Sequence, residues 1–235
     1  MTQRTAGPAA HDAEPPGALA DGLDEDLQDD HEGVVADIGP RPLSARTFGV
    51  LLVVLGGIGF LASAWLSIER VLGLLDPDRV ASCTINIFLT CSAAMGSWQG
   101  SLLGFPNPFL GIAAFPVVIT SGVVLLAGAR LRRWYWLSLL GGSVLGQALV
   151  LFLMATSFHV LYRLCPACMV VWTVMWPLLW YQVVWAVQER YLPVGEHLRR
   201  AVVANRGIIL ATGYVVALAW LLLSVGGDLV RSFGL

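Results

Sequence analysis

The chain has 235 residues, of which 57% are hydrophobic and only 13% charged, with nine tryptophans. Soluble domains carry about 25% charged residues, so this composition excludes an ordinary soluble globule and reads as an integral membrane protein. The net charge of −2 hides an asymmetry, because ten of the sixteen acids precede residue 40 and all fourteen cations are arginine.

Residues 1–46 form an acidic tail. Up to residue 40 it mixes Pro, Gly, Ala and acids without apolar periodicity, so it cannot bury enough surface to offset chain entropy and is expected to be disordered. It lacks the basic segment and short apolar core of a cleaved signal peptide. The first span is therefore expected to act as the insertion signal.

That span runs from Thr47 to Ile68, with Trp65 as an interface anchor. Its Gly56, Gly57 and Gly59 permit close approach of a neighbouring helix, within the chain rather than between copies. From Glu69 to Pro108 the chain is too polar at its start and too broken at its end to span. The segment holds Cys83 and Cys91, then a mildly amphipathic stretch, Ser92 to Leu103, expected as a short helix on the membrane surface, then Phe105-Pro106-Asn107-Pro108. It reads as a cap. The second span is Phe109 to Ala129, kinkable at Pro116, and Tyr135 to Ser157 is the third, with Gln147 expected to bond between helices. Residues 47–188 close with Cys165-Pro166-Ala167-Cys168 and a fourth span, Met169 to Val187. Residues 189–235 supply a basic connector and a fifth span, Gly207 to Gly226.

A Cys-x-x-Cys at a helix start is a redox motif by default, because the unsatisfied N–H groups there stabilise a thiolate. The same spacing also serves zinc sites and structural bridges. Topology bears on the choice. Nine arginines near span ends share the side of the tail, against Arg70, Arg79, Arg163 and Arg231 on the other. The positive-inside bias then puts the N-terminus in the cytoplasm and all four cysteines on the extracytoplasmic, oxidising side. Two pairs facing each other suggest electron relay by thiol–disulfide exchange, two electrons per transfer. A purely structural Cys83–Cys91 bridge stays open, as does a four-cysteine zinc site, although seven residues between Cys83 and Cys91 exceed the usual knuckle spacing.

Cys83, then Cys91-Ser92 with Ser97 six residues after Cys91, then Asn107 between two prolines, and finally Cys165-x-x-Cys168 together resemble the vitamin K epoxide reductase family, over roughly Phe48 to Val187. The resemblance implies an all-α integral membrane protein, a four-helix bundle around a quinone pocket with a cap of loop and short helix, to which this chain adds a fifth transmembrane helix. It implies that Cys83 and Cys91 form the shuttle pair facing a thioredoxin-fold partner. It implies that Cys165 and Cys168 form the active-site pair, Cys165 exchanging with Cys91 and Cys168 facing the quinone. Asn107 matches an asparagine that hydrogen-bonds a quinone oxygen, and Ser97 matches a serine that helps hold the cap. Trp172 falls where vertebrate members carry a quinone-side tyrosine, and an indole donates but does not accept as a phenol does.

The resulting expectation is a multi-pass enzyme of the inner (plasma) membrane. It oxidises a separate thioredoxin-fold, DsbA-like protein and passes the electrons to menaquinone or ubiquinone, with inhibition by coumarins such as warfarin. The thiol partner is expected on a separate chain because only about fifty residues follow the fourth span. No metal and no nucleic-acid partner are expected. A reductase of quinone or its epoxide fed by another thiol donor is the alternative within the family, and a non-enzymatic scaffold with structural disulfides is the alternative outside it.

Overall fold

The structure, a computed structural model, describes residues 42–76, 78–84, 90–161 and 163–232. The acidic tail up to residue 41 lies outside these residues. Among the described residues there are helices and no β-strand. Four helices are long and apolar enough to cross a bilayer: α1 (Ala45–Leu75), α3 (Pro108–Leu126), α4 (Arg133–Thr156), which extends through a π-helical turn (Ser157–Leu161), and α5 (Pro166–Gln188). A fifth crossing requires α6 (Glu196–Ala204) and α7 (Arg206–Ser232) to act together across a bend of 71°. A short α2 (Cys91–Gly96) and a 3-10 turn (Trp98–Ser101) lie between α1 and α3.

Local chemistry sets the helix starts. Ser44 caps α1 by accepting from the Thr47 N–H at 3.0 Å, Thr90 caps α2 by accepting from the Ser92 N–H at 3.3 Å, and α3 and α5 each begin with proline, whose missing N–H costs nothing in the first turn. Both interior prolines, Pro116 and Pro177, are carried within unbroken helices.

Glycine decides the tightest seam. In lipid there is no hydrophobic drive between helices, so close van der Waals packing has to supply the association. A Cβ on Gly59 would lie 2.4 Å from the Phe115 ring of α3, and one on Gly56 would lie 2.9 Å from Ile119, whereas Gly57 faces open space. The small-residue face thus serves intrachain packing of α1 on α3. Helix α1 also packs on α5, and α5 on α4, while α3 and α4 do not form an extensively packed pair. At the end of the bundle away from the cysteines, α3 and α4 are tied by Ser121 and Tyr135, whose hydroxyl oxygens lie 2.7 Å apart. There Phe48, fully buried, lies against Trp136 and Trp185 at centroid distances of 5.6 and 4.8 Å, locking α1 to α4 and α5.

Three expectations shift. Helix α1 does not stop at Ile68 but continues to Leu75, because Glu69 is taken up by polar partners described below. The amphipathic stretch 92–103 divides at Ser97 into α2 and the 3-10 turn. Gln147 leaves its side-chain oxygen without a partner among the described residues, and the interhelical bond is made one turn earlier, from the Ser143 hydroxyl to Gln182 Oε1 at 3.0 Å. Helix α7 leans on α5 through a cleft at Gly213 that admits Trp176, and through the Tyr214 hydroxyl donating to the Thr173 carbonyl at 2.6 Å.

Candidate active site

The last turns of α1 hold the first cysteine segment. Glu69, 5% exposed, accepts from the Ser82 N–H at 3.1 Å and from the Ser82 hydroxyl, with the Arg79 guanidinium 3.8 Å away. Trp65 Nε1 donates to the same Ser82 hydroxyl at 3.3 Å. A buried carboxylate is tolerable only when paired and hydrogen-bonded, and these partners satisfy it while fixing the residue next to Cys83. From the other side, the Thr90 N–H donates to the Leu164 carbonyl at 2.9 Å, which draws the start of α2 onto the strand of chain entering α5.

Both ties converge on sulfur. Cys83 and Cys91 are joined as a disulfide, and Cys165 and Cys168 are free thiols. The bond occupies two of the four sulfurs that a zinc site would need. Cys91 Sγ lies 3.2 Å from Cys165 Sγ, and the three sulfurs of Cys83, Cys91 and Cys165 share a buried cluster with Leu66, Ala81 and Ala167.

Cys165 is the N-cap of α5. Its sulfur accepts from the Cys168 N–H at 3.4 Å, in the place where a serine or aspartate oxygen would ordinarily sit. The Cys165 thiol is held below its ordinary value, first by the hydrogen bond from the Cys168 side chain, with the Cys168 and Ala167 N–H groups adding to it against the opposing effect of burial. The N-terminal turn therefore favours thiolate at Cys165, as expected for a motif with this placement.

Cys168 faces a cavity of about 540 Å³ that runs from the cap, past Trp172, Met175 and Leu178 of α5, to Trp134 and Tyr135 near the start of α4. Its walls are predominantly apolar. Asn107 closes the cap end: it is 8% exposed, its Oδ1 accepts from the Leu102 N–H at 3.1 Å, and its Nδ2 donates to the Gln99 carbonyl at 2.7 Å. An amide nitrogen carries two donors, so one remains for the cavity that Asn107 lines. Ser97 lines the same end and caps the 3-10 turn by accepting from the Gly100 N–H at 3.2 Å. Trp172 lines the wall one turn beyond Cys168, its ring 6.2 Å from that of Phe158.

The structure thus gathers all seven sequence-singled residues at one end of the bundle. The sulfurs form one cluster, and Cys168, Asn107, Ser97 and Trp172 share one cavity. Sequence reasoning passed over Glu69, Ser82, Gln99 and Arg70. Only the charge of Glu69 and Arg70 inside an otherwise apolar run signalled them, since an ionisable residue at such a position needs a partner or a role.

Chemically, the cluster can move a disulfide. Exchange needs a thiolate to approach a disulfide sulfur, and Cys165 stands in contact with Cys91. The cavity adjoining Cys168 is large and predominantly apolar, as a planar lipid-soluble substrate requires, with Ser97, Gln99 and Asn107 at its cap end and Tyr135, Ser138 and Ser143 along α4 among its polar groups. Residues 50–183 match the family described as the vitamin K epoxide reductase family. A search of curated proteins finds no match.

Proposed function

The chain belongs to the vitamin K epoxide reductase family, which makes it an oxidoreductase of thiols and quinones in a membrane, and from that premise we propose that it generates disulfides for exported proteins. The observation that carries this reading is the 3.2 Å approach of Cys91 to Cys165 beside a Cys168 that lines the apolar cavity. In the proposed cycle, a thioredoxin-fold protein on the extracytoplasmic side reduces the Cys83–Cys91 disulfide and leaves oxidised. Cys91 thiolate then attacks Cys165 in a Cys165–Cys168 disulfide, and Cys83 resolves the mixed bond, which restores Cys83–Cys91 and leaves two thiols at the helix start. The described arrangement of one disulfide and two thiols corresponds to this point of the cycle.

Members of the family use quinones. The two thiols surrender two electrons and two protons, the quinone becomes hydroquinone, and Cys165–Cys168 closes again. Asn107 donates its remaining N–H to a quinone oxygen. Trp172 walls the ring, Ser97 holds the cap, and the apolar lining excludes water. The catalytic unit is residues 47–188, in the inner (plasma) membrane with the N-terminus cytoplasmic. The same pocket accepts coumarins.

The test is anaerobic. Dithiol-reduced protein in detergent is mixed with a menaquinone or ubiquinone analogue and the quinone absorbance is followed. Loss of quinone that disappears in Cys168→Ser supports the relay, and no loss with either quinone sinks it.

A further inference from the structure

We propose that a small polar recess beside the Cys83–Cys91 bond is a carboxylate site, which aligns on Cys83 a thiol donor carrying an acidic group next to its reactive sulfur. The inference rests on the thiol-donor half of the function proposed above. The recess, about 140 Å³, is lined by Glu69, Arg70, Arg79, Ala81, Ser92 and Met95 among others. Ala81 belongs to the buried cluster that holds Cys83 and Cys91, and Ser92 follows Cys91, so the recess adjoins the surroundings of the disulfide although neither sulfur lines it.

Two guanidinium groups face one carboxylate there. Glu69 is already engaged by Ser82 and lies near Arg79. Arg70 is not matched: its Nε is buried and has no hydrogen-bond partner among the described residues, a condition native structures rarely leave unmet. Among the described residues the recess therefore sets two guanidinium groups against one carboxylate. A second carboxylate completes the pairing through charge-assisted hydrogen bonds to the guanidinium groups that line the recess.

The position matters because the disulfide is poorly accessible. Cys83 is 5% exposed and Cys91 is fully buried, so an incoming sulfur has to be held at Cys83 to react, and an anchored carboxylate beside it supplies that orientation. The donor thiolate attacks Cys83 Sγ. A donor–Cys83 bond forms, the Cys83–Cys91 bond breaks, and its electron pair leaves on Cys91 as a thiolate. A second donor thiol attacks the mixed bond, frees Cys83 and departs as the donor disulfide, so two electrons enter the pair.

Three small thiols test this on the full chain in detergent: 3-mercaptopropionate, 2-mercaptoethanol and cysteamine, compared at equal thiolate concentration. Reduction of Cys83–Cys91 is read by maleimide labelling. The carboxylate thiol is expected to react roughly fivefold faster than the neutral one and the amine slowest, a spread of the size a partly exposed charge pair supports and one that shrinks in high salt. The carboxylate preference, taken as the rate ratio of 3-mercaptopropionate to 2-mercaptoethanol within each protein so that any change in the cap cancels, is expected to vanish in Arg70→Gln/Arg79→Gln. In Arg79→Glu it is expected to turn toward cysteamine. Equal rates for all three thiols, or a preference that survives both variants, would overturn the proposal. So would a changed quinone KM in Arg70→Gln with the thiol preference intact, which assigns Arg70 to the larger cavity it also lines. Dithiothreitol-driven quinone loss, measured in parallel, separates failure of this site from failure of the relay.

Discussion

The two cysteine pairs touch, yet they are built on opposite principles. Cys165 and Cys168 sit on the first turn of a 23-residue helix, where proline and backbone N–H groups fix both sulfurs to one rigid frame. Cys83 sits in a turn and Cys91 opens the short helix α2, and the two are held by side-chain ties of Ser82 to Glu69 and by one backbone bond from Thr90 to Leu164. Under the function proposed above, the difference suits a division of labour. A pair that meets a lipid-soluble substrate profits from fixed geometry, and a pair that meets a protein and then turns inward profits from a tether that can yield. Flexible loops carried on a rigid scaffold are where such encounters are usually placed.

The largest expected effect comes from removing the rigid pair's inner sulfur. Cys168→Ser should lower quinone reduction by at least about a thousandfold, in line with the loss of a covalent nucleophile. Dithiol reduction of Cys83–Cys91 should continue. Stopped-flow quinone absorbance beside thiol labelling checks both, and residual quinone turnover would show that the pairs are not in series.

The contact between the pairs can be trapped. In Cys83→Ser/Cys168→Ser, mild oxidation should join Cys91 to Cys165 nearly completely, since their sulfurs are already 3.2 Å apart. In Cys91→Ser/Cys168→Ser, a Cys83–Cys165 bond should form at least about tenfold more slowly, because Cys83 is tied to α1 through Ser82. Peptide mapping under non-reducing conditions distinguishes the two. Comparable yields would mean that the loop pair moves as freely as an untethered chain.

What could be read in advance follows the same division. The rigid part was legible: length and apolarity placed the crossing helices, and Cys-x-x-Cys before an apolar run placed Cys165 and Cys168 at a helix start. Gly56 and Gly59 marked a packing face, although only the structure shows that Phe115 and Ile119 fill it. The tether was not legible. Glu69 and Arg70 look like the end of a span when read by hydropathy, yet the helix continues to Leu75 because Ser82, thirteen residues beyond Glu69, supplies the missing donors. Pairings at that range leave no periodic trace in the sequence. The same holds for Ser143 with Gln182, which took the role expected of Gln147. Asn107 carried only a turn signal of its own, and its double hold on Gln99 and Leu102 depends on the cap folding back over the cavity.

Asn107 joins the two regions, and its removal should have an intermediate effect. Asn107→Ala deletes two hydrogen bonds to the cap backbone, one of them buried, each worth about 1 kcal/mol net and more where a partner is left unmet. Hydrogen exchange across 97–107 should quicken by about tenfold or more, and the quinone KM should rise. Faster exchange with an unchanged KM would make Asn107 a cap residue only, with no part in holding substrate.

The smallest expected change concerns the thiolate of the rigid pair. Because the Cys165 thiol is held below its ordinary value chiefly by the Cys168 side chain, replacing that side chain should move the Cys165 titration upward. The sign follows directly: a group with a lowered folded value is ionised at lower pH, and losing the responsible hydrogen bond returns ionisation to higher pH. Alanine is the cleaner replacement, since serine keeps a hydroxyl donor at the same place. Ultraviolet thiolate absorbance of the protein with Cys83–Cys91 intact should therefore titrate later in Cys168→Ala than in Cys168→Ser. If the two variants titrate together, the N–H groups of the helix start alone set the acidity of Cys165, and the partner cysteine serves only to close the disulfide.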